Sequence, residues 1–283
     1  MTTKEIIAAF EHGAVANRQD PCRVGNVIHL PAQGDVIMTG DLHGHVRNFE
    51  RICAYARLDE HPQRHLVLHE LLHGGPGPKH DECESYLLLA QAAALKARFP
   101  AQVHFLLSNH ESAQAIRGEV LKNGQAMVRA VNNAISTAFT VHSALVQQAL
   151  QEFIISMPLV VRTANRIWLS HTLPSERHVE YFEDPHCLDK PLTLEVLATD
   201  PGVRALTWDR AHHQKALDRL RLLWHVDVFV IGHKPEASGA RTECDSLIIL
   251  ASDHAHGKFM HFSLGVSYDR DALFDCVLPL AAV

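Results

Sequence analysis

Short apolar runs alternate with amphipathic stretches along most of the chain. Asp35–Thr39 (DVIMT), Leu66–Leu68, Val103–Leu107, Ile167–Leu169 and Val226–Ile231 are brief, apolar and mostly rich in branched side chains, which predicts buried strands. Val46–Ala56, Glu82–Arg98, Ala126–Phe153 and His213–Trp224 carry apolar residues at helical spacing. Alternating strand and helix predicts an α/β fold whose sheets are covered by helices. Ser246–Ala251 and Lys258–Leu264 then read as two more strands with no helix between them. An α/β half followed by a strand-rich half predicts a sandwich of two mixed β-sheets flanked by helices.

No repeat, low-complexity tract or linker divides the sequence, so residues 1–283 are expected to form a single domain. Residues 1–20 form its N-terminal helix, opened by a capping box of Thr2 and Glu5, and 265–283 a C-terminal extension. Gly74–Pro78 (GGPGP) cannot be helix or central strand and is expected to be a loop; Met157-Pro158 and Asp184-Pro185 mark further turns.

Composition narrows the function classes. Hydrophobic residues make up 47% and charged residues 20%, which suits a globular chain and not a disordered one. The formal charge is −6 with no basic block, so nucleic acid is set aside as a partner. The first residues lack the continuous apolar run of a signal peptide. No stretch approaches the roughly 20 apolar residues of a membrane span, so no membrane association is expected. The six cysteines are scattered without a C-x-x-C pair, which argues against a zinc ribbon or a disulfide scaffold and suits the cytoplasm.

The chemistry lies at strand ends. Gly40-Asp41-Leu42-His43-Gly44, His69-Glu70, Ser108-Asn109-His110-Glu111, Ser170-His171 and Gly232-His233 each follow an apolar strand directly. Ligands of open α/β sheets bind at the carboxyl ends of strands. Imidazole, carboxylate and amide oxygen together suit divalent ions such as Mn, Fe, Zn or Co. Asp41 and His43 alternate across a short turn, and Gly40 and Gly44 let the backbone bend beside them. A carboxylate between two such clusters can bridge ions about 3.5–4 Å apart, as in two-metal hydrolases. Such a centre attracts phosphate even in an acidic protein.

GDLHG, SNHE, the later His after a strand, and GHKP resemble the signature blocks of the calcineurin-like metallophosphoesterase superfamily, and most of all its phosphoprotein (serine/threonine) phosphatase branch. The similarity runs from about residue 35 to about residue 257. It implies a metallophosphoesterase-like sandwich and two divalent metal ions. One ion would be held by Asp41, His43 and Glu70, the other by Glu70, Asn109, His171 and His233. It also implies His110 as the general acid, a metal-bound hydroxide as the nucleophile, and Arg117 and Arg210 as phosphate clamps.

The second signature block departs from the family. Where the family has GDxxDRG, this chain has His69-Glu70-Leu71-Leu72-His73-Gly74-Gly75. Glu70 stands for the bridging Asp and is one methylene longer. His73 stands for an Asp that orients the catalytic His, and Gly74 for a phosphate-binding Arg. Ser108 replaces a Gly. Loss of the orienting carboxylate should lower the pKa of His110, and loss of the Arg removes a bidentate phosphate contact. Slower turnover or an unusual substrate is the expected consequence.

Other readings stand beside these. Glu70 could be a surface carboxylate. His73 could be an extra ligand, a substitute for the orienting Asp, or an inert loop residue. Arg117 and Arg210 could pair with surface acids. His45, His61, His65, His80, His104, His212, His213 and His225 are read as structural or surface groups, whereas His254 and His256 flank a late loop that can line the pocket. There is no nucleotide P-loop and no G-x-S-x-G elbow. Three functions follow: phosphomonoester hydrolysis on a phosphorylated protein; hydrolysis of a small phosphoester substrate, either a metabolite or a dinucleotide polyphosphate; or a metal-binding pseudo-phosphatase with a regulatory role.

Overall fold

The computed structural model describes residues 1–74, 81–184 and 186–283. Gly75–Pro78, His80 and Pro185, which carry part of the loop, histidine and turn expectations above, lie outside the described residues. In chain order the strands are β1 (Arg23–Val24), β2 (Val27–Leu30), β3 (Asp35–Asp41), β4 (Arg64–His69), β5 (Val103–Leu106), β6 (Leu121–Lys122) and β7 (Gln125–Ala126). They continue with β8 (Val160–Thr163), β9 (Ile167–Ser170), β10 (Val228–Ile231), β11 (Ala240–Glu243), β12 (Leu247–Leu250), β13 (Lys258–Ser263) and β14 (Val277–Pro279).

Two mixed sheets result. One has the order β1-β2-β8-β9-β10-β12-β11 and the other β14-β13-β3-β4-β5, while β6 and β7 form a separate hairpin. The strands that carry the site motifs run parallel within each sheet: β3, β4 and β5 in one, β9 and β10 in the other. Period-two alternation sorts their side chains. Val36, Met38, Val67, Ile167, Leu169, Val228 and Val230 belong to the core between the sheets. Ile37, Leu66, Leu68, Trp168 and Phe229 join the larger core formed with the helices. There Trp168 stacks on Trp224 of the helix Gln214–Trp224 at 3.8 Å between centroids.

The sheets converge at one edge. Asp41, the last residue of β3, bridges Ala251 just past β12, and its carbonyl accepts the Ser252 N–H at 3.0 Å. This seam brings the carboxyl ends of both parallel sets together.

The sequence-predicted strands all form, with ends shifted by one or two residues. The helix Val46–Ala56 forms as predicted, Gln214–Trp224 starts one residue late, and Ser85–Arg98 starts three residues late. The helix Thr3–Arg18 carries the expected capping box, with Thr2 N–H donating to Glu5 at 2.6 Å. The single helix expected over Ala126–Phe153 is instead two helices, Met127–Phe139 and Ser143–Ile155, joined by a 3₁₀ turn at Thr140–His142. Thr140 sits at φ 44°, and β-branched Thr137, Thr140 and Val141 weaken the helix there. Among the described residues no helix is long and apolar enough to cross a membrane.

Candidate active site

Each strand-end motif delivers its residues to the same edge. Asp41 closes β3 and His69 closes β4, with Glu70 next. Ser108, after β5, caps the helix Asn109–Ala115 by accepting the His110 and Glu111 N–H groups. His171 follows β9 directly, and His233 follows β10 by two residues. Asp41, Glu70, Asn109, His110, His171 and His233 are buried and His43 is half-buried.

The side chains gather in two groups. Asp41, His69 and His171 offer ligand atoms within 4.8 Å of one another, and so do His43, Glu70 and His110. Glu70 spans them: Oε2 lies 3.3 Å from His43 Nε2, and Oε1 lies 3.8 Å from His171 Nε2. Asn109 Oδ1 lies 2.7 Å from His171 Nε2. The His171 and His233 rings pack at 4.4 Å between centroids. All six residues assigned to metal by resemblance therefore lie in one cluster.

The backbone is bent to present them. His43, Glu70, His73 and His233 take φ values of 39° to 63°, a left-handed conformation that costs a residue with a side chain about 1–2 kcal/mol. Bonds elsewhere hold this geometry. Glu111 Oε1 accepts the Leu71 and Leu72 N–H groups at 2.9 Å each, and Ser108 Oγ donates to its other oxygen. His43 Nδ1–H donates to the Leu72 carbonyl at 3.1 Å, which leaves the Nε2 lone pair facing Glu70.

His110 is held by a side-chain relay. Gln114 Oε1, an acceptor only, lies 3.1 Å from His73 Nε2, so that nitrogen carries the proton. His73 Nδ1 is then an acceptor and takes the His110 Nδ1–H at 2.8 Å. Gln114 is fixed in turn by donating to Asn132 at 2.9 Å. Of the three readings left open for His73, this is the geometry of a substitute for the orienting Asp. It is a neutral acceptor in place of a charged one.

Burial dominates the electrostatics. It pushes the Asp41 carboxyl up to about 6, and burial together with the Asp41 charge raises Glu70 well above the carboxylate range. Burial also lowers the imidazoles: His69 and His233 fall to about 3, His73 to about 4, and His43, His110 and His171 fall as well. Burial thus disfavours the charged form of the acids and of the imidazoles alike.

Two residues escaped the sequence reading. His69 is fully buried between the groups, with Nε2 2.7 Å from His171 Nδ1 and Nδ1 3.4 Å from Asp41 Oδ1. Its sequence signals were a place at a strand end and a His where the resembled block has Gly. Lys122, on the β6–β7 hairpin, exerts its charge on Asp41, His43, His73 and His110. Nothing in its polar stretch marked it.

The arginines divide. Arg210 Nη1 donates to the His233 carbonyl at 2.7 Å and borders a cavity of about 460 Å³ with Ser175, Arg177 and Asp209. Arg117 is exposed at φ 54° and lines a different, small cavity with Gln114, Asn132 and Gln151. His254 is tied to the Glu236 carbonyl at 2.9 Å, and His256 is exposed. His45 caps the helix Val46–Ala56, and His65 and His104 pair with each other at 3.0 Å in the interior.

No family model and no curated protein matches the chain. Solved structures do. A protein serine/threonine phosphatase from Saccharomyces cerevisiae superposes with a TM-score of 0.71 at 14% identity, over 99% of this chain and 94% of that one. A cold-active protein-tyrosine phosphatase of a psychrophilic Shewanella superposes with a TM-score of 0.61 at 13% identity, over 89% of this chain and 80% of that one. With its two mixed sheets flanked by helices, this chain shares the fold of these phosphatases.

Proposed function

We propose that this chain hydrolyses phosphomonoesters at a centre of two divalent metal ions. The observation that carries the reading is Glu70, whose two carboxylate oxygens face different groups of ligand atoms. The residues fit such ions by their own chemistry. Among the described residues Glu70 Oε1 and His69 Nδ1 are buried without a hydrogen-bond partner, and each is able to give an electron pair. Asp41, His43, Glu70, Asn109, His171 and His233 would hold ions of the Mn, Fe, Zn or Co kind, with His69 as a further nitrogen donor. Bound ions supply the activation of water and the charge that draws phosphoryl oxygens.

The protein side of the reaction rests on His110. Its Nδ1–H is fixed on His73, so Nε2 is left to carry a proton to the leaving oxygen. Arg210, beside the cavity of about 460 Å³, would meet the bound substrate. A binding-only protein has no physical need for the relay from Asn132 to His110, which favours an enzyme over a pseudo-phosphatase.

The first substrate class is phosphoserine or phosphothreonine in proteins. The open cavity and the fold shared with the yeast phosphatase support it. A small phosphorylated metabolite or a dinucleotide polyphosphate is the competing class. The six thiols are all free, which supports a reducing, cytoplasmic setting.

The test joins metal analysis to hydrolysis. Two metals per chain, with turnover of p-nitrophenyl phosphate under added Mn, support the reading. Turnover of phosphopeptides but not nucleotides supports the protein substrate, and activity confined to nucleotides overturns it. No metal after reconstitution, or two metals without turnover on any phosphoester, refutes the hydrolase.

A further inference from the structure

Gly74 cannot be converted back to the arginine that the resembled block carries. A Cβ at Gly74 would lie 2.5 Å from the His43 carbonyl oxygen and 2.9 Å from Gly44 Cα, both rigid backbone. The loop carrying His43 and the loop carrying His73 are pressed together there, and the pressing is part of the site: Gly44 N–H donates to the Leu71 carbonyl at 2.8 Å. A phosphoryl group arriving at this centre has lost one cation by construction.

A cation arrives from another element. Lys122 sits on the two-stranded hairpin β6–β7, whose turn is Asn123-Gly124 with φ values of 52° and 78°. Positive φ at both turn residues suits a tight two-residue hairpin and fixes where its last β6 side chain projects. Three-quarters of the Lys122 side chain is covered, with 24% exposed. Its nearest acidic partner is Asp253 Oδ2, at 3.9 Å. Asp253 directly follows Ser252, whose N–H is bonded to the Asp41 carbonyl at 3.0 Å, so the ammonium stands one residue away from the seam that carries Asp41.

Burial lowers the pKa of the Lys122 ammonium, while Asp253, Glu70 and Asp41 favour its charged form; that charge in turn disfavours protonation of His43, His73 and His110. It is therefore within electrostatic reach of both groups of ligand atoms at once. A contact of 3.9 Å is too long for a hydrogen bond, so Asp253 does not saturate the ammonium. An ordinary surface lysine would extend into water; here most of the side chain is covered and the ammonium stands beside Asp253, next in sequence to the residue bonded to Asp41.

We propose that Lys122 is the phosphate-binding cation of this site, taking from the hairpin the work that Gly74 cannot do. The proposal rests on the phosphomonoesterase reading above and adds its own claim about which residue grips the phosphoryl dianion. A lysine meets phosphate as a point charge with three rotatable donors rather than as a planar fork. The site should therefore hold phosphoryl oxygens with less angular selectivity than a guanidinium would, and Asp253 should compete weakly for the same ammonium.

Inorganic phosphate is the probe. Its binding to the metal-loaded full chain is measured by calorimetry for the wild type, Lys122→Met, Lys122→Arg and Asp253→Asn, with metal content and the kcat and KM for p-nitrophenyl phosphate determined alongside. Lys122→Met should weaken phosphate at least about tenfold and raise KM by a similar factor, the scale of one charged hydrogen bond, while metal content stays at the wild-type level. Lys122→Arg should recover most of the affinity, and Asp253→Asn should tighten binding. Phosphate affinity and KM unchanged in Lys122→Met, in a wild type that turns over, overturn this proposal and leave the hydrolase reading intact. A metal-loaded wild type that neither binds phosphate nor turns over overturns both.

Discussion

His73 Nδ1 accepts the Nδ1–H of His110 across 2.8 Å, and the other nitrogen of His73 is committed to Gln114 at 3.1 Å. An imidazole does here what the resembled block does with a carboxylate. It fixes the ring of His110 and its tautomer but adds no negative charge. A neutral partner stabilises imidazolium less than an anion does. Burial, followed by the neighbouring His43 and His73, also drives the His110 pKa down. His73→Leu should lower kcat about 10- to 100-fold with metal content unchanged, a substantial part of what general acid catalysis supplies. His73→Asp should move the descending limb of the pH–kcat profile to higher pH, because the added charge favours protonated His110. A profile that does not move in His73→Asp sinks the orienting role.

Glu70 is longer by a methylene than the Asp of the resembled block, and its two oxygens reach His43 and His171 separately. Glu70→Gln keeps the shape and removes the charge. It should reduce bound metal from two ions per chain to one or fewer, read by elemental analysis after dialysis. Glu70→Asp should retain metal and report, through kcat, whether the longer arm limits turnover. Full occupancy of two ions in Glu70→Gln contradicts a bridging carboxylate.

Much of this site was legible because strand ends announce themselves. An apolar run followed by Asp41, by Asn109 or by His171 states both the element and the edge to which it points. What sequence could not carry was side-chain direction and contact across the chain. His69 looked like a neighbour of Glu70, yet its partner is His171, 102 residues away. The relay role of His73 depends on Gln114 and Asn132, which no motif joined to it. Lys122 lay in a polar stretch without period, on a two-residue strand too short to read. β8 escaped for a related reason: four residues, opening just after Pro158 and holding Arg162, show neither a clear run nor a clear alternation. The stretch Ala126–Phe153 reads as one helix instead of two because its apolar spacing continues on both sides of the turn at Thr140.

His69 brings a nitrogen into a place where the resembled block has no side chain. Its Nδ1 is 3.4 Å from Asp41 Oδ1, and Gly232 leaves the room for this pair, since a Cβ there would meet Asp41 Oδ1 at 2.1 Å and His69 Cε1 at 2.4 Å. Nitrogen donors favour Zn and Co over Mn, which prefers oxygen. His69→Gly should therefore shift competitive binding toward Mn by about tenfold or more relative to Zn. Equilibrium dialysis against mixed metals measures it. An unchanged Zn-to-Mn ratio means that His69 does not act on the ions.

Two buried histidines outside the candidate ligand set bear on stability. His65 is 6% exposed and His212 is 5% exposed, and burial lowers each to about 4 from an ordinary value of 6.5. His65 is further disfavoured as a cation by His104, and His212 by Lys234. Between those two values the unfolded chain binds protons that the folded chain refuses, so folding weakens as pH falls. The stability these groups confer is complete above about pH 6.5 and disappears as pH drops through about 4. Each group can contribute up to about 3 kcal/mol over that range. Protein stripped of metal with a chelator should therefore show a urea midpoint that declines steadily from pH 7 to pH 5, and His212→Gln should flatten the decline. His212 donates its Nε2–H to the Leu173 carbonyl at 3.2 Å, a bond that a glutamine amide can replace without a titrating group. A midpoint independent of pH over this interval would show that these imidazoles take up protons in the fold as they do in the unfolded chain, which contradicts a burial penalty on their charged forms.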